Sequence, residues 1–214
     1  MSDVTTIDRL YEEAAAVIKA LQGIPEVSLQ VIAGDHFRKA LLLAAASYFE
    51  RRMCNCVLDF VRERSGGSAL VENFVRNKAV ARQYHSWFQW DENNANQFYG
   101  LFGAQFRSEM SNRVKGSDDL RTGVAAFLEL GSERNRLVHQ DYTTFPLDKT
   151  LDEIYALYRT ALTFVEHLPG ALRDCDGSPE GKVEGAQVRL DTTDTAHSNA
   201  QPGPEQDAPQ APHP

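Results

Sequence analysis

Three cysteines in 214 residues (Cys54, Cys56 and Cys175) are too few, and odd in number, for a disulfide framework. A reducing, cytoplasmic setting is the expectation that follows. Long apolar runs are missing as well. The richest stretch, Lys39 to Phe49, falls short of the roughly eighteen residues that read as a bilayer span, and lies too far into the chain for a signal peptide. No transmembrane anchor and no secreted mini-protein are expected. A phosphate-cradling loop is also lacking, because Gly66-Gly67 is not followed by lysine and serine and reads as a helix stop. No run alternates apolar and polar residues as a strand does, and no repeat period is present.

What is present divides the chain unevenly. Beyond residue 173 there are eight acids against two bases, six of the nine prolines, and no Phe, Trp or Tyr. Such a segment cannot bury enough apolar surface to offset the entropy of ordering, so residues 174–214 read as a disordered, solvated acidic tail of net charge −6. Residues 1–173 then carry about −2 of the total −8 and form one domain. That domain is near neutral, which permits RNA binding without the strong basic excess of a dedicated nucleic-acid binder.

The domain reads as helical throughout. Leu10, Ala14, Ile18 and Leu21 follow a helical spacing that ends at Gly23 and Pro25. Asp35 reads as the N-cap of a long second helix running to about Arg64. Ser68 starts a third, from Ala69 to about Tyr84, followed by aromatic-rich turns from Trp87 to Phe106 and a short helix over Gln105 to Val114. Ser117 caps a helix that starts at Asp118. Thr150 caps the last, in a box with Glu153, which is expected to stop near Leu168 before Pro169. The fold class is all-α, a bundle of four to five main helices with short extra helices.

The residues with chemical interest lie between Glu133 and Gln140. Arg134 falls seven positions after Phe127, nearly two full turns, so a permanent cation occupies the face that should be apolar. Asn135 lies one turn before His139. Gly131 lets another element approach closely. On the second helix, Glu50 lies within the stripe of Leu43, Phe49, Met53 and Val57, where a carboxylate is costly without a partner. Glu50 is therefore expected to face Arg134 and fix its guanidinium, either as part of a site or as a structural ion pair.

Arg134-Asn135-Arg136-Leu137-Val138-His139 resembles the R-N-x-x-x-H form of the motif of HEPN-superfamily ribonucleases. Ser47-Tyr48-Phe49-Glu50, Trp90 and Leu101-Phe102-Gly103 are similar to the RiboL-PSP-like branch, over about residues 30–168. The resemblance implies a HEPN-type bundle and metal-independent cleavage of RNA in a composite site at a homodimer interface. His139 would exchange protons with the ribose 2′-OH or the 5′-oxygen, and Arg134 would stabilise the charged transition state. Asn135 would orient the imidazole or hold a phosphate oxygen. Because this stretch supplies one histidine, a twofold axis beside it would bring in the second. Some relatives carry a tyrosine two residues past the histidine. Here that position is Asp141, and Tyr142 follows it. Arg136 and Tyr142 are the candidate RNA contacts, with Arg113 and Lys115 as further phosphate contacts; the three cations read first as solvated surface charge, and Tyr142 reads also as a packing residue. An antitoxin or other defence-system protein is the implied partner.

No cofactor or metal is expected. Cys54-x-Cys56 has the wrong spacing for a zinc knuckle and reads as part of a helix interior. His36, His85 and His167 form no helical ligand pair. The aromatics from Trp87 to Phe106 read as core rather than base-stacking groups. Two functions remain open: an RNA endonuclease of growth-halting or defence type, and a non-catalytic helical dimerisation module that keeps the motif as an ion-pair network and recruits a protein.

Overall fold

The computed structural model describes residues 4–176, and among these there are helices and turns but no strand. Five long helices make the bundle: α1 (Thr6–Leu21), α2 (Val27–Arg64), α5 (Ala104–Gly116), α6 (Asp118–His139) and α7 (Leu151–Asp176). Two short ones, α3 (Ala69–Val75) and α4 (Asn96–Gly100), lie between α2 and α5.

Local signals account for several of these ends. Thr5 caps α1 in a box with Asp8, whose carboxylate accepts from Thr5 N at 2.7 Å. Ser117 caps α6 through Leu120 N, and Thr150 and Glu153 form the expected box at the start of α7. Three expectations need correction. The second helix begins at Val27 rather than Asp35, which sits inside it and pairs with Lys39 at 2.8 Å and Arg38 at 3.3 Å. The third ends at Val75, passes through a π-helical turn at Arg76–Val80 and reaches a 3-10 turn at Tyr84–Ser86. The last continues through Pro169 to Asp176, because Leu168, Ala171 and Leu172 are all buried and tertiary packing outweighs the lost amide donor. From residue 177 onward the acidic segment read as a disordered tail lies outside the described residues.

Aromatic packing builds the core. Phe49 of α2 meets Phe127 of α6 at 5.7 Å and Tyr158 of α7 at 5.3 Å between ring centroids, while Phe88, Phe98, Tyr99 and Phe164 are also buried. As expected, the segment from Trp87 to Phe106 lends most of its rings to this core. Helices α6 and α7 touch through Gly123, where a Cβ would come within 3.1 Å of the backbone nitrogen of Phe164. At the other end of the bundle, Asp8 is 5% exposed yet accepts from the hydroxyl of Tyr155 at 2.9 Å and the guanidinium of Arg159 at 3.3 Å. Tyr158 donates to Thr5 Oγ1 at 2.8 Å, and Tyr11 stacks on Tyr155 at 3.9 Å. Helix α1 is thereby tied to α7 by a polar cluster whose main members all have partners.

Candidate active site

A narrow slot opens where α2, α6 and the Tyr84–Ser86 turn converge, and Glu50, Tyr84, His85, Trp90, Arg134 and Asn135 line it. Its free volume is about 10 Å³, room for one water molecule. Phe127 and Leu130 form its buried floor, and Arg134 emerges from the same face of α6, half-buried, as the helical phase requires. The glycine at 131 serves a definite purpose. A Cβ built there would overlap the ring of Trp90, so the indole packs directly on the α6 backbone.

Glu50 and Arg134 face each other across this slot but do not form the expected ion pair. Among the described residues, no ion pair within 4.0 Å and no hydrogen bond joins them. Arg134 instead donates through Nη1 to Asn135 Oδ1 at 3.1 Å. Asn135, expected to orient the imidazole or to hold a phosphate oxygen, thus accepts from the guanidinium beside it, and among the described residues no hydrogen bond joins it to His139. Among the described residues, the half-buried Glu50 carboxylate has no hydrogen-bond or ion-pair partner. His139 is exposed at the end of α6, one turn beyond Asn135.

The remaining candidates are held locally. Arg136 pairs with Glu133 at 2.9 Å and lies over the ring of Phe145 at 5.4 Å. Arg113 is bonded to Glu109 and Asp174 and lines no part of the slot; Lys115 is exposed. Tyr142 packs beside His36 at 6.3 Å and beneath Lys39, whose ammonium lies 5.1 Å from the ring.

Sequence reasoning missed three of these residues. Lys39 is only 1% exposed. It donates to the carbonyl of Tyr142 at 2.8 Å while paired with Asp35, and so clamps the turn that follows His139. Its signal, a lysine four residues after an acid inside an apolar stripe, was hidden by reading Asp35 as a cap. Tyr84 and His85 reach the slot from a turn that sequence periodicity could not place. Tyr84 is buried, and burial followed by the charges of Glu50 and Cys54 pushes its phenol well above the ordinary range, so it stays protonated. His85 is shifted down, first by burial and then by the charges of Arg134 and His139, against the opposing pull of Glu50. Burial also pushes the thiols of Cys54 and Cys56 up to about 11, which leaves both unreactive at neutral pH.

Among the described residues, no group of three His, Cys, Asp or Glu side chains is placed to hold a metal ion, and no helix is long and apolar enough to cross a membrane.

Fold and slot together define an all-helical domain of the HEPN class, with an arginine, an amide and an exposed histidine on its penultimate long helix. The model of the RiboL-PSP-HEPN family matches residues 7–174, and the chain belongs to that family. The match takes in α1, which lay outside the resemblance read from sequence. HEPN domains commonly bind RNA and dimerise. No curated protein and no solved structure matches the chain.

Proposed function

We propose that the chain is a metal-independent RNA endonuclease that uses Arg134 and His139, with Asn135 and Glu50 as positioning residues, and that two copies associate beside the motif. The observation that carries this reading is the unpaired state of the slot. A structural ion-pair network would join Glu50 to Arg134, because a buried charge held for stability is normally bonded. Among the described residues the guanidinium is steadied by one side-chain amide, which leaves its other donors for a ligand.

Arg134 presents a planar fork suited to phosphate oxygens, and its charge would be felt most as the phosphorane-like transition state gains charge. The 2′-hydroxyl attacks the adjacent phosphorus, leaving a 2′,3′-cyclic phosphate and a 5′-hydroxyl. This chemistry requires the 2′-OH, so DNA is not cut. Arg136, released from Glu133, and Tyr142 at the rim would add contacts to the strand. A growth-halting effector of the defence or toxin–antitoxin kind, restrained by a partner protein in the cytoplasm, is the biological setting that fits such an activity.

The test is incubation of the purified chain with a mixed RNA pool in chelator, with the cut ends mapped. Cyclic-phosphate ends are expected. His139→Ala should lower the rate by about 10²–10⁴-fold and Arg134→Ala by about 10²–10³-fold, with the fold retained. Cleavage of single-stranded DNA, or full activity in His139→Ala, would overturn the reading and leave the helical dimerisation module in its place.

A further inference from the structure

Every nucleotide of a strand carries a negative charge, while the chain's own net charge is −8. One segment beside the slot departs from that acidic balance. Residues 73–90 hold Arg76, Lys78, Arg82 and His85 and no aspartate or glutamate. The segment runs from α3 through the π-helical turn to the Tyr84–Ser86 turn, where His85 lines the slot.

Its backbone is held firmly. Glu72 accepts from Arg62 at 2.9 Å and from Arg76 at 2.7 Å, which fastens α3 to the end of α2. Trp87 Nε1 donates to the carbonyl of Ala79 at 3.0 Å, and Trp90 Nε1 donates to the carbonyl of His85 at 2.9 Å. Val80 and Tyr84 are buried, so the inner side of the segment is core. Lys78 and Arg82 are exposed, and among the described residues neither the ammonium nor the guanidinium has a hydrogen bond or an ion pair. Phe74, one turn before Lys78, is 67% exposed. Arg82 also has φ of 62°, a left-handed backbone that suits glycine and is costly for a residue with a side chain. No bond from its own side chain offsets that cost. Strain held at an unpaired cation, two residues before the slot-lining Tyr84, is the pattern of a segment shaped for a ligand.

We infer that Phe74, Lys78 and Arg82 form a track for single-stranded RNA that leads its backbone to the slot. The inference rests on the ribonuclease reading above and adds where the strand lies. Lys78 and Arg82 meet phosphates, and Phe74 stacks on a base at the far end. Spaced cations headed by an exposed ring, on a surface free of acids, suit a polyanion whose bases have flat faces. The track also ends beside Arg134, whose planar fork suits phosphate. These contacts are made alike to substrate and transition state, so they serve affinity rather than the bond-breaking step.

The experiment measures binding of a labelled oligouridine to the full-length chain carrying His139→Ala, in chelator, over a range of salt. Lys78→Ala and Arg82→Ala are each expected to weaken binding about fivefold at about 0.1 M salt, and to lower the slope of log affinity against log salt by about 0.7. Phe74→Ala is expected to weaken it by about 5–100-fold with the slope unchanged. Lys19→Ala, which removes an exposed cation in the last turn of α1, is the control and should leave both values unchanged. Arg82→Gly should bind as weakly as Arg82→Ala while its thermal midpoint rises, so the loss cannot come from misfolding. With His139 intact, the loss in cleavage should fall on KM rather than kcat. Parental affinity and slope in the Lys78→Ala, Arg82→Ala double variant, parental affinity in Phe74→Ala, or an equal loss in Lys19→Ala would overturn the track while the ribonuclease reading stands. Weakened binding by the track variants of a chain that never cuts RNA would uphold the track and remove the ribonuclease reading. A chain that neither binds nor cuts RNA overturns both.

Discussion

The molecule contains two polar clusters at helix junctions, and they are built on opposite principles. Around Asp8, a carboxylate that is 5% exposed accepts from Thr5, Tyr155 and Arg159, and Thr5 in turn accepts from Tyr158. Around Glu50, half-buried charges and an exposed histidine line a slot, and among the described residues the charged side chains there make one hydrogen bond, from Arg134 to Asn135. The first cluster is closed and ties α1 to α7. The second is open, and its unused donors and acceptors are what a ligand would meet. Partnered polar groups hold the bundle together, and unpartnered ones are where the proposed activity would act.

Substitutions that treat the two clusters alike should give opposite results. Asp8→Ala strands the donors of Tyr155, Arg159 and the Thr5 amide, and should cost about 3 kcal/mol in urea unfolding while leaving RNA cleavage per folded molecule unchanged. Glu50→Gln should do the reverse: a stability change below about 0.5 kcal/mol and a clear loss of cleavage. A loss of several kcal/mol there would show that Glu50 is bonded after all.

Acid should separate the clusters too. Burial raises the Asp8 carboxyl, but the Thr5 amide, Tyr155, the Thr5 hydroxyl and Arg159 outweigh it and hold the group below the usual carboxylate range. Its folded value therefore lies under its unfolded one. The stability it contributes is complete above the ordinary carboxylate range and disappears as pH falls through the folded value. Asp8→Asn should remove this increment and flatten the acid limb of a stability–pH curve. The smallest effect expected is at Arg82, which has φ of 62° two residues before Tyr84. Arg82→Gly should stabilise the chain by about 0.5–1 kcal/mol, read as a rise in thermal midpoint, by relieving the left-handed backbone.

Much of the closed architecture was legible because its signals are local. Ser117 and Thr150 lie next to the amides they cap, and Phe127 and Arg134 share a face by helical phase alone. Misreadings arose where two local signals compete or where distant packing decides. Asp35 has the chemistry of a cap, but Arg38 and Lys39 within one turn give it a different role. Pro169 signals a stop, yet Leu172 beyond it is buried. The slot was half legible: Glu50, Arg134, Asn135 and His139 stand out against apolar stripes, whereas Tyr84 and His85 arrive from an irregular turn with no period to reveal it.

The size of the slot has a consequence for selectivity. A hollow that holds a single water molecule admits neither a nucleobase nor a sugar. On the ribonuclease reading, a strand must lie across the mouth and offer only its backbone, so the centre itself is blind to the identity of the letters it parts. Any preference for one message over another must be decided elsewhere, by the contours around that mouth or by whatever delivers the strand to it.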